Sequence, residues 1–139
     1  LVGRFAPENT PRLCISIISF SFRQGIPREA DLVFDVRFLR NPHYIDELRL
    51  LTGQDPRVGN YVSKDPDFTE FMNKLEGMMA LLLPRFKGEG KSYLTVAIGC
   101  TGGRHRSVFT AQRLYDALSA PDMQIQLYHR DIDQTSGVS

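Results

Sequence analysis

Apolar positions along the chain recur with two periods, and the period separates strands from helices. Leu13–Phe22 is short, rich in Ile and Phe, and predicts a strand. Leu32–Phe38 (LVFDVRF) sets Val33, Asp35 and Arg37 between bulky neighbours and predicts a second. Ser92–Gly99 (SYLTVAIG) predicts a third, whose continuous apolar stretch suits burial on both faces. Gln124–Tyr128 (QIQLY) alternates and predicts a last strand. The clearest helix is Asp65–Phe86: Asp65 is an N-cap, Pro66 suits the first helical position, and Phe68, Phe71, Met72, Leu75, Met79, Leu82 and Leu83 follow at helical spacing. Val108, Ala111, Leu114 and Leu118 form the stripe of a second long helix, Arg106–Leu118. Ile45–Leu51 reads as a short helix. Thr52–Asn60, with Gly53, Pro56 and Gly59, reads as a loop.

Strands interleaved with helices predict a single α/β domain, a central β-sheet with helices packed on it, over residues 12–130. Residues 1–11, with two prolines, read as a linker, and 131–139 as a flexible polar tail. The first residue is Leu1, and the expectation is a domain cut from a longer chain. The 139 residues carry a net charge of +1, so no global field draws the chain to nucleic acid or membrane, and any basic function needs a local patch. The apolar run near the start is broken by Ser16, Ser19 and Ser21 and is too short to span a bilayer. Two cysteines, Cys14 and Cys100, do not make a disulfide scaffold and suit a reducing, cytoplasmic setting.

Open α/β sheets bind ligands beyond the carboxyl ends of their strands. Three polar segments fall there: Asp35–His43, Gly99–Ser107 and His129–Asp131. The second, Gly99-Cys100-Thr101-Gly102-Gly103-Arg104-His105-Arg106-Ser107, is the richest. Its glycines let the backbone approach a ligand, and successive N–H groups in such a turn make a concave anion site. The helix that follows adds orphan donors and the positive end of its dipole. Thr101 and Ser107 add hydroxyls, and Arg106 can grip a phosphate with two parallel bonds. A strand–turn–helix at 94–107 that binds an anion, most simply the phosphate of a small metabolite, is the leading reading; a tight turn with solvated basic residues is the bland one.

Cys100, Gly103, Arg106 and Ser107 also fit the Cys-x-x-Gly-x-x-Arg-Ser loop of cysteine-dependent phosphatases, where a thiolate attacks phosphorus. Gly99 stands where those enzymes usually place a histidine, and a small thiol packed behind the loop is the alternative. Asp35 in a strand needs a partner, either Arg37 in an ion pair or a ligand's hydroxyls or ammonium. His43 suits a phosphate or hydroxyl contact, or loop packing. Two other motifs fail on context. Gly88–Ser92 ends like a nucleotide P-loop, but Arg85 stands where its first glycine belongs and a strand follows instead of a helix. His129-Arg130-Asp131 echoes a kinase catalytic loop, without the asparagine that loop requires.

Taken together, Ser19-Phe20-Ser21-Phe22, Gly25-Ile26-Pro27, Ala30-Asp31, VFDVRFLRNPHY at 33–44, Glu47-Leu48-Arg49, Thr52-Gly53 and KSYLTVAIGCTGGRHRSV at 91–108 resemble the C-terminal domain of the RapZ family of RNase adapter proteins. The resemblance covers most of Ser19–Arg130. It implies an N-terminal P-loop domain absent from this chain, with ATP or GTP bound there and no cofactor or metal in this domain. It implies sensing of glucosamine-6-phosphate, small-RNA and regulatory-protein partners, control of amino-sugar synthesis, self-association and no catalytic residue. The family's metabolite site maps onto Asp35, His43, Cys100, Thr101, Gly102, His105 and Arg106; Gly103 and Ser107 complete the loop. It also makes Cys100 a loop residue rather than a nucleophile. The RNA-binding relatives end in a basic tail, whereas this chain has no Lys or Arg after Arg130. Arg37, Arg40, Lys91, Arg104 and Arg130 make an RNA patch if the fold gathers them, and a solvated surface otherwise.

Overall fold

The computed structural model describes residues 12–121 and 123–133, so the expected linker 1–11 and the tail beyond residue 133 lie outside the described residues. Four strands, β1 (Cys14–Ser21), β2 (Leu32–Asp35), β3 (Tyr93–Cys100) and β4 (Gln124–His129), form one sheet. Their order is β2-β3-β1-β4 and every pair is parallel. Among the described residues, four α-helices join them: α1 (Asp46–Arg49), α2 (Pro56–Ser63), α3 (Pro66–Gly88) and α4 (Arg106–Leu118). The expected α/β sheet with packed helices is therefore the observed architecture.

Handedness arranges the layers. Parallel crossovers are nearly always right-handed, so connections running in opposite directions along a sheet lie on opposite faces. The β2→β3 and β3→β4 connections run the same way, and α2, α3 and α4 pack on one another. The β1→β2 connection runs the other way, over β3. It is only the segment 22–31, with Pro27 buried. Phe22 lies on that second face: a Cβ on Gly99 would come within 2.7 Å of its ring, whereas the next residue, Cys100, faces α4.

The helix-facing side of the sheet alternates as a pleat requires. Ile15 and Ile17 of β1 stack with Leu94, Val96 and Ile98 of β3 against Met72, Leu75, Met79, Ala111 and Leu114. Each of the Ile, Leu, Val and Met side chains among them contributes about 1.5–3 kcal/mol. Towards the carboxyl ends the same face turns polar. Ser19, Ser21, Ser107 and Thr110 are all buried there.

Three expectations need correction. Thr52–Asn60 is not a loop throughout, because Pro56–Ser63 is helical. The Asp55 side chain caps it by accepting from the Arg57 amide, Pro56 takes the first turn, and Val58 and Val62 are buried one turn apart. The second strand stops at Asp35 rather than Phe38, because the Asp35 carboxylate accepts from the Arg37 amide at 2.9 Å and turns the chain. Finally, Asp131 does not belong to a frayed tail. It is buried, and it accepts from the Ser21 amide at 2.8 Å and from the Arg130 guanidinium.

Candidate functional site

The anion loop is shaped by its neighbours on β1 and before α2. Gly103 has φ +72°, and a Cβ there would lie 2.8 Å from the Ser21 amide nitrogen, so glycine is required twice over. The Ser21 hydroxyl donates to the Thr101 carbonyl at 2.7 Å. The Gly53 amide donates to the Arg104 carbonyl at 2.9 Å. In a trans peptide the N–H points opposite to the carbonyl before it. The amides of Gly102 and His105 are therefore turned away from Ser21 and Gly53. Among the described residues no side chain caps α4, so the first-turn donors and the dipole at Arg106 and Ser107 are not spent on a side-chain cap.

Arg106 is the centre of the arrangement. Only 3% of it is exposed. Its Nη1 donates to the Arg37 carbonyl at 2.6 Å and the Leu39 carbonyl at 3.1 Å. Its Nη2 makes one long contact, 3.4 Å, to the Thr101 hydroxyl. Its Nε is buried with no hydrogen-bond partner among the described residues. One end of the guanidinium is thus anchored to main chain. The opposite edge, Nε with Nη2, is the fork that binds carboxylate or phosphate in a bidentate way, and it is largely unspent. Burial works against the charge of Arg106, while the Asp35 carboxylate works for it.

Asp35 stands near this fork but is engaged. Its carboxylate makes a bidentate pair with Arg37, with Nη2 to Oδ2 at 2.6 Å. That hydrogen bonding, with the nearby Arg37 and Arg106 charges, holds its carboxyl below the usual range despite some burial. Arg37 also lies over the Phe22 ring, 4.0 Å from its centroid. The pair is half exposed, so a ligand ammonium can compete for Asp35 from the solvent side. His43 sits in a short 3-10 turn, Pro42–Tyr44, whose amide is capped by the Asn41 side chain. Tyr44 beside it is exposed, its ring 5.3 Å from that of His43 between centroids.

Cys100 ends β3, fully buried, and its thiol donates to the Ser107 hydroxyl at 3.1 Å. Neither cysteine is in a disulfide. His105 is also fully buried and packs against the carbonyls of Leu48, Arg49 and Leu51. Burial drives its pKa down to about 4, outweighing those carbonyls. It is therefore a neutral wedge between α1 and α4 at neutral pH, and its imidazole brings no positive charge to an anion.

This has a consequence for stability. A histidine of folded pKa about 4 and ordinary unfolded pKa takes up its proton first in the unfolded chain. The contribution of His105 to stability is then flat above about pH 6.5 and falls as the pH drops towards 4, by an amount on the order of 2–3 kcal/mol. His129, also depressed by burial, acts in the same direction. Urea unfolding between pH 7.5 and pH 4.5 should show this slope, and His105→Asn should flatten most of it. A slope unchanged in that variant would assign the effect elsewhere.

The basic residues do not form the single patch considered above. Lys91 precedes β3 and pairs with Asp31 at 3.2 Å, at the amino end of the sheet. Arg37, Arg104 and Arg130 lie at the carboxyl end, each spent on internal partners. Arg104 donates to the Leu50 and Leu51 carbonyls, and Arg130 to Gly25 and Asp131. Arg40 is exposed, with its guanidinium 5.9 Å from the Tyr61 ring centroid.

Sequence reasoning chose the loop but missed what holds it: Ser21, Gly53, Asp131 and the carbonyls of Arg37 and Leu39. Ser19 and Ser21 did leave a signal, two hydroxyls spaced by two on the strand face that otherwise carries Ile15 and Ile17. Among the described residues, no group of three or more His, Cys, Asp and Glu is placed to hold a metal ion, and no helix is long and apolar enough to cross a membrane.

Comparison with known proteins follows the same residues. A nucleotide-binding protein of Rhodospirillum rubrum is 54% identical over 133 residues, covering 96% of this chain and 42% of that protein. One from Paramagnetospirillum magneticum is 52% identical over 134 residues, covering 96% and 44%. One from Caldanaerobacter subterraneus is 54% identical over 122 residues, covering 88% and 43%. The chain thus spans about two-fifths of the length of the curated relatives it matches. The family model described as the RapZ C-terminal domain matches residues 13–133, which takes in every strand, every helix and the whole anion loop. The chain belongs to the RapZ C-terminal domain family.

Proposed function

We propose that this domain is a regulatory sensor that binds an amino-sugar phosphate, glucosamine-6-phosphate, at the carboxyl ends of β1 and β3 and passes its occupancy to RNA or protein partners. The observation that carries the reading is the buried Arg106 fork. A donor at Nε that is buried and unpartnered is expensive unless something supplies an acceptor, and a phosphate supplies it. The amide of Gly102 and the start of α4 add donors to the same anion. Asp35 serves the amine, exchanging part of its pairing with Arg37 for the ligand's ammonium. Occupancy has a route outward, because the guanidinium that meets the phosphate also holds the carbonyls of Arg37 and Leu39. We place the nucleotide binding named for the longer relatives outside this domain, and the setting in the cytoplasm.

Isothermal titration with glucosamine-6-phosphate, glucose-6-phosphate and inorganic phosphate tests the reading. The expected order is amino sugar tightest and phosphate weakest, with the preference for the amine lost in Asp35→Asn. Equal weak binding of all three would reduce the site to a generic anion pocket.

One geometric observation favours a second reading. Cys100 donates to Ser107 beside Arg106, an arrangement that also serves a thiol nucleophile under a phosphate. Turnover of an aryl phosphate, abolished in Cys100→Ser, would establish a cysteine-dependent phosphatase. No turnover together with amino-sugar binding supports the sensor. RNA contact is the least favoured, because most of its candidate cations are engaged within the fold. An electrophoretic shift with structured RNA at low salt would restore it.

A further inference from the structure

We propose that the domain carries a second ligand site at the amino end of the sheet, specific for a small apolar organic anion that also bears a hydrogen-bond donor. A cavity of about 420 Å³ opens there between the last turns of α3 and the residues that lead into β1 and β4. That volume is in the range of sites for small organic molecules. The whole length of β1 separates it from the anion loop, and it shares no residue with that site.

Its floor is apolar, built from Leu13, Leu83, Pro84 and Met123. Arg12 and Lys87 stand on its rim, and neither has an ion-pair partner among the described residues. Gln124 also lines it. The Gln124 side-chain oxygen accepts from the Cys14 thiol at 2.9 Å, so its amide nitrogen remains a donor.

A second observation is independent of this charge. Pro84 lies inside α3. Proline has no N–H, so the Ala80 carbonyl, four residues earlier, lacks its helical donor. Ala80 and Pro84 both line the cavity. The site therefore offers an apolar floor, two cations and one amide donor for an acidic group, and one backbone acceptor for a donor on the ligand. A phosphorylated sugar has too little apolar surface for that floor, and a neutral hydrocarbon leaves the cations and the carbonyl unused.

The probe is 8-anilinonaphthalene-1-sulfonate, an aromatic sulfonate with one N–H, titrated calorimetrically into the 139-residue chain. Its uncharged analogue, N-phenyl-1-naphthylamine, is the comparison. Saturable binding at one site is expected, at least tenfold weaker for the uncharged analogue. Ala80→Trp, at an exposed position where the larger ring tolerates folding, should fill the cavity and weaken binding at least tenfold. Lys87→Glu should weaken the sulfonate several-fold and leave the analogue unchanged. Saturating glucosamine-6-phosphate should not compete. Failure of the sugar to bind anywhere would count against the sensor reading and leave this proposal standing. Absence of saturable sulfonate binding, equal affinity for both probes, or indifference to Ala80→Trp and Lys87→Glu would each overturn it.

Discussion

Replacing Arg106 by alanine is expected to weaken binding of a phosphorylated ligand by about 1.5–3 kcal/mol, the scale of a charged hydrogen bond lost from a buried site. Two distinct losses combine in this variant. The ligand loses the Nε and Nη2 fork. The protein loses the donor that holds the Arg37 and Leu39 carbonyls at 2.6 and 3.1 Å, so stability should fall by about 1–3 kcal/mol as well. Arg106→Lys separates the two. Lysine keeps a positive charge but presents a point donor instead of a planar fork, and it cannot anchor to the carbonyls and meet the anion with two parallel bonds. Affinity should therefore stay well below that of the parent, with only part of the stability recovered. Calorimetric titration with urea unfolding on the same samples reads both quantities. Undiminished phosphate affinity in Arg106→Ala would remove Arg106 from the ligand site and with it the main support for the sensor.

The contrast between the loop and its supports shows what can be read from a sequence of this kind. The four strands were legible because short apolar runs and period-two alternation are too brief for helices, and the glycines, hydroxyls and arginine of 99–107 carry their chemistry in their side chains. The partners of Arg106 were not legible, because a main-chain carbonyl has no residue type to announce it. The same holds for the Arg104 and Thr101 carbonyls, held by Gly53 and Ser21 from 51 and 80 residues away. The helix α2 is a different kind of miss. Its Asp55-Pro56 start repeats the Asp65-Pro66 signature of α3, but Gly53, Pro56 and Gly59 read as breakers in the sequence. Tertiary packing reverses that weight at Gly59, where a Cβ would lie 2.6 Å from the Phe109 ring. That glycine lets α2 approach α4 rather than ending the helix. Asp131 shows the same effect at a chain end: polar by type, it is buried because the Ser21 amide and Arg130 both need its carboxylate.

Gly53→Ala is the substitution expected to damage the fold most for its size. An added Cβ would lie 2.3 Å from the His105 carbonyl oxygen, 2.7 Å from the Phe109 amide nitrogen and 2.9 Å from Val108 Cβ. Two of these three atoms are backbone at the start of α4, so no rotamer change relieves the contact. The segment before α2 must move away from the helix. That movement stretches the Gly53 amide bond to the Arg104 carbonyl and loosens the turn that aims the loop amides. The expected cost is about 3 kcal/mol, the upper end of ordinary overpacking, with phosphate affinity falling alongside. Two other glycines calibrate the measurement. Gly59→Ala meets the Phe109 ring first, a side chain able to shift, and should cost less. Gly77 lies in α3 with nothing within 4 Å of its added Cβ, so Gly77→Ala should stabilise by about 0.5–1 kcal/mol through helix propensity alone. Urea unfolding of the three variants should give that order. If Gly53→Ala proved as harmless as Gly77→Ala, the close docking of residue 53 on α4 would be wrong, and the loop would need another support.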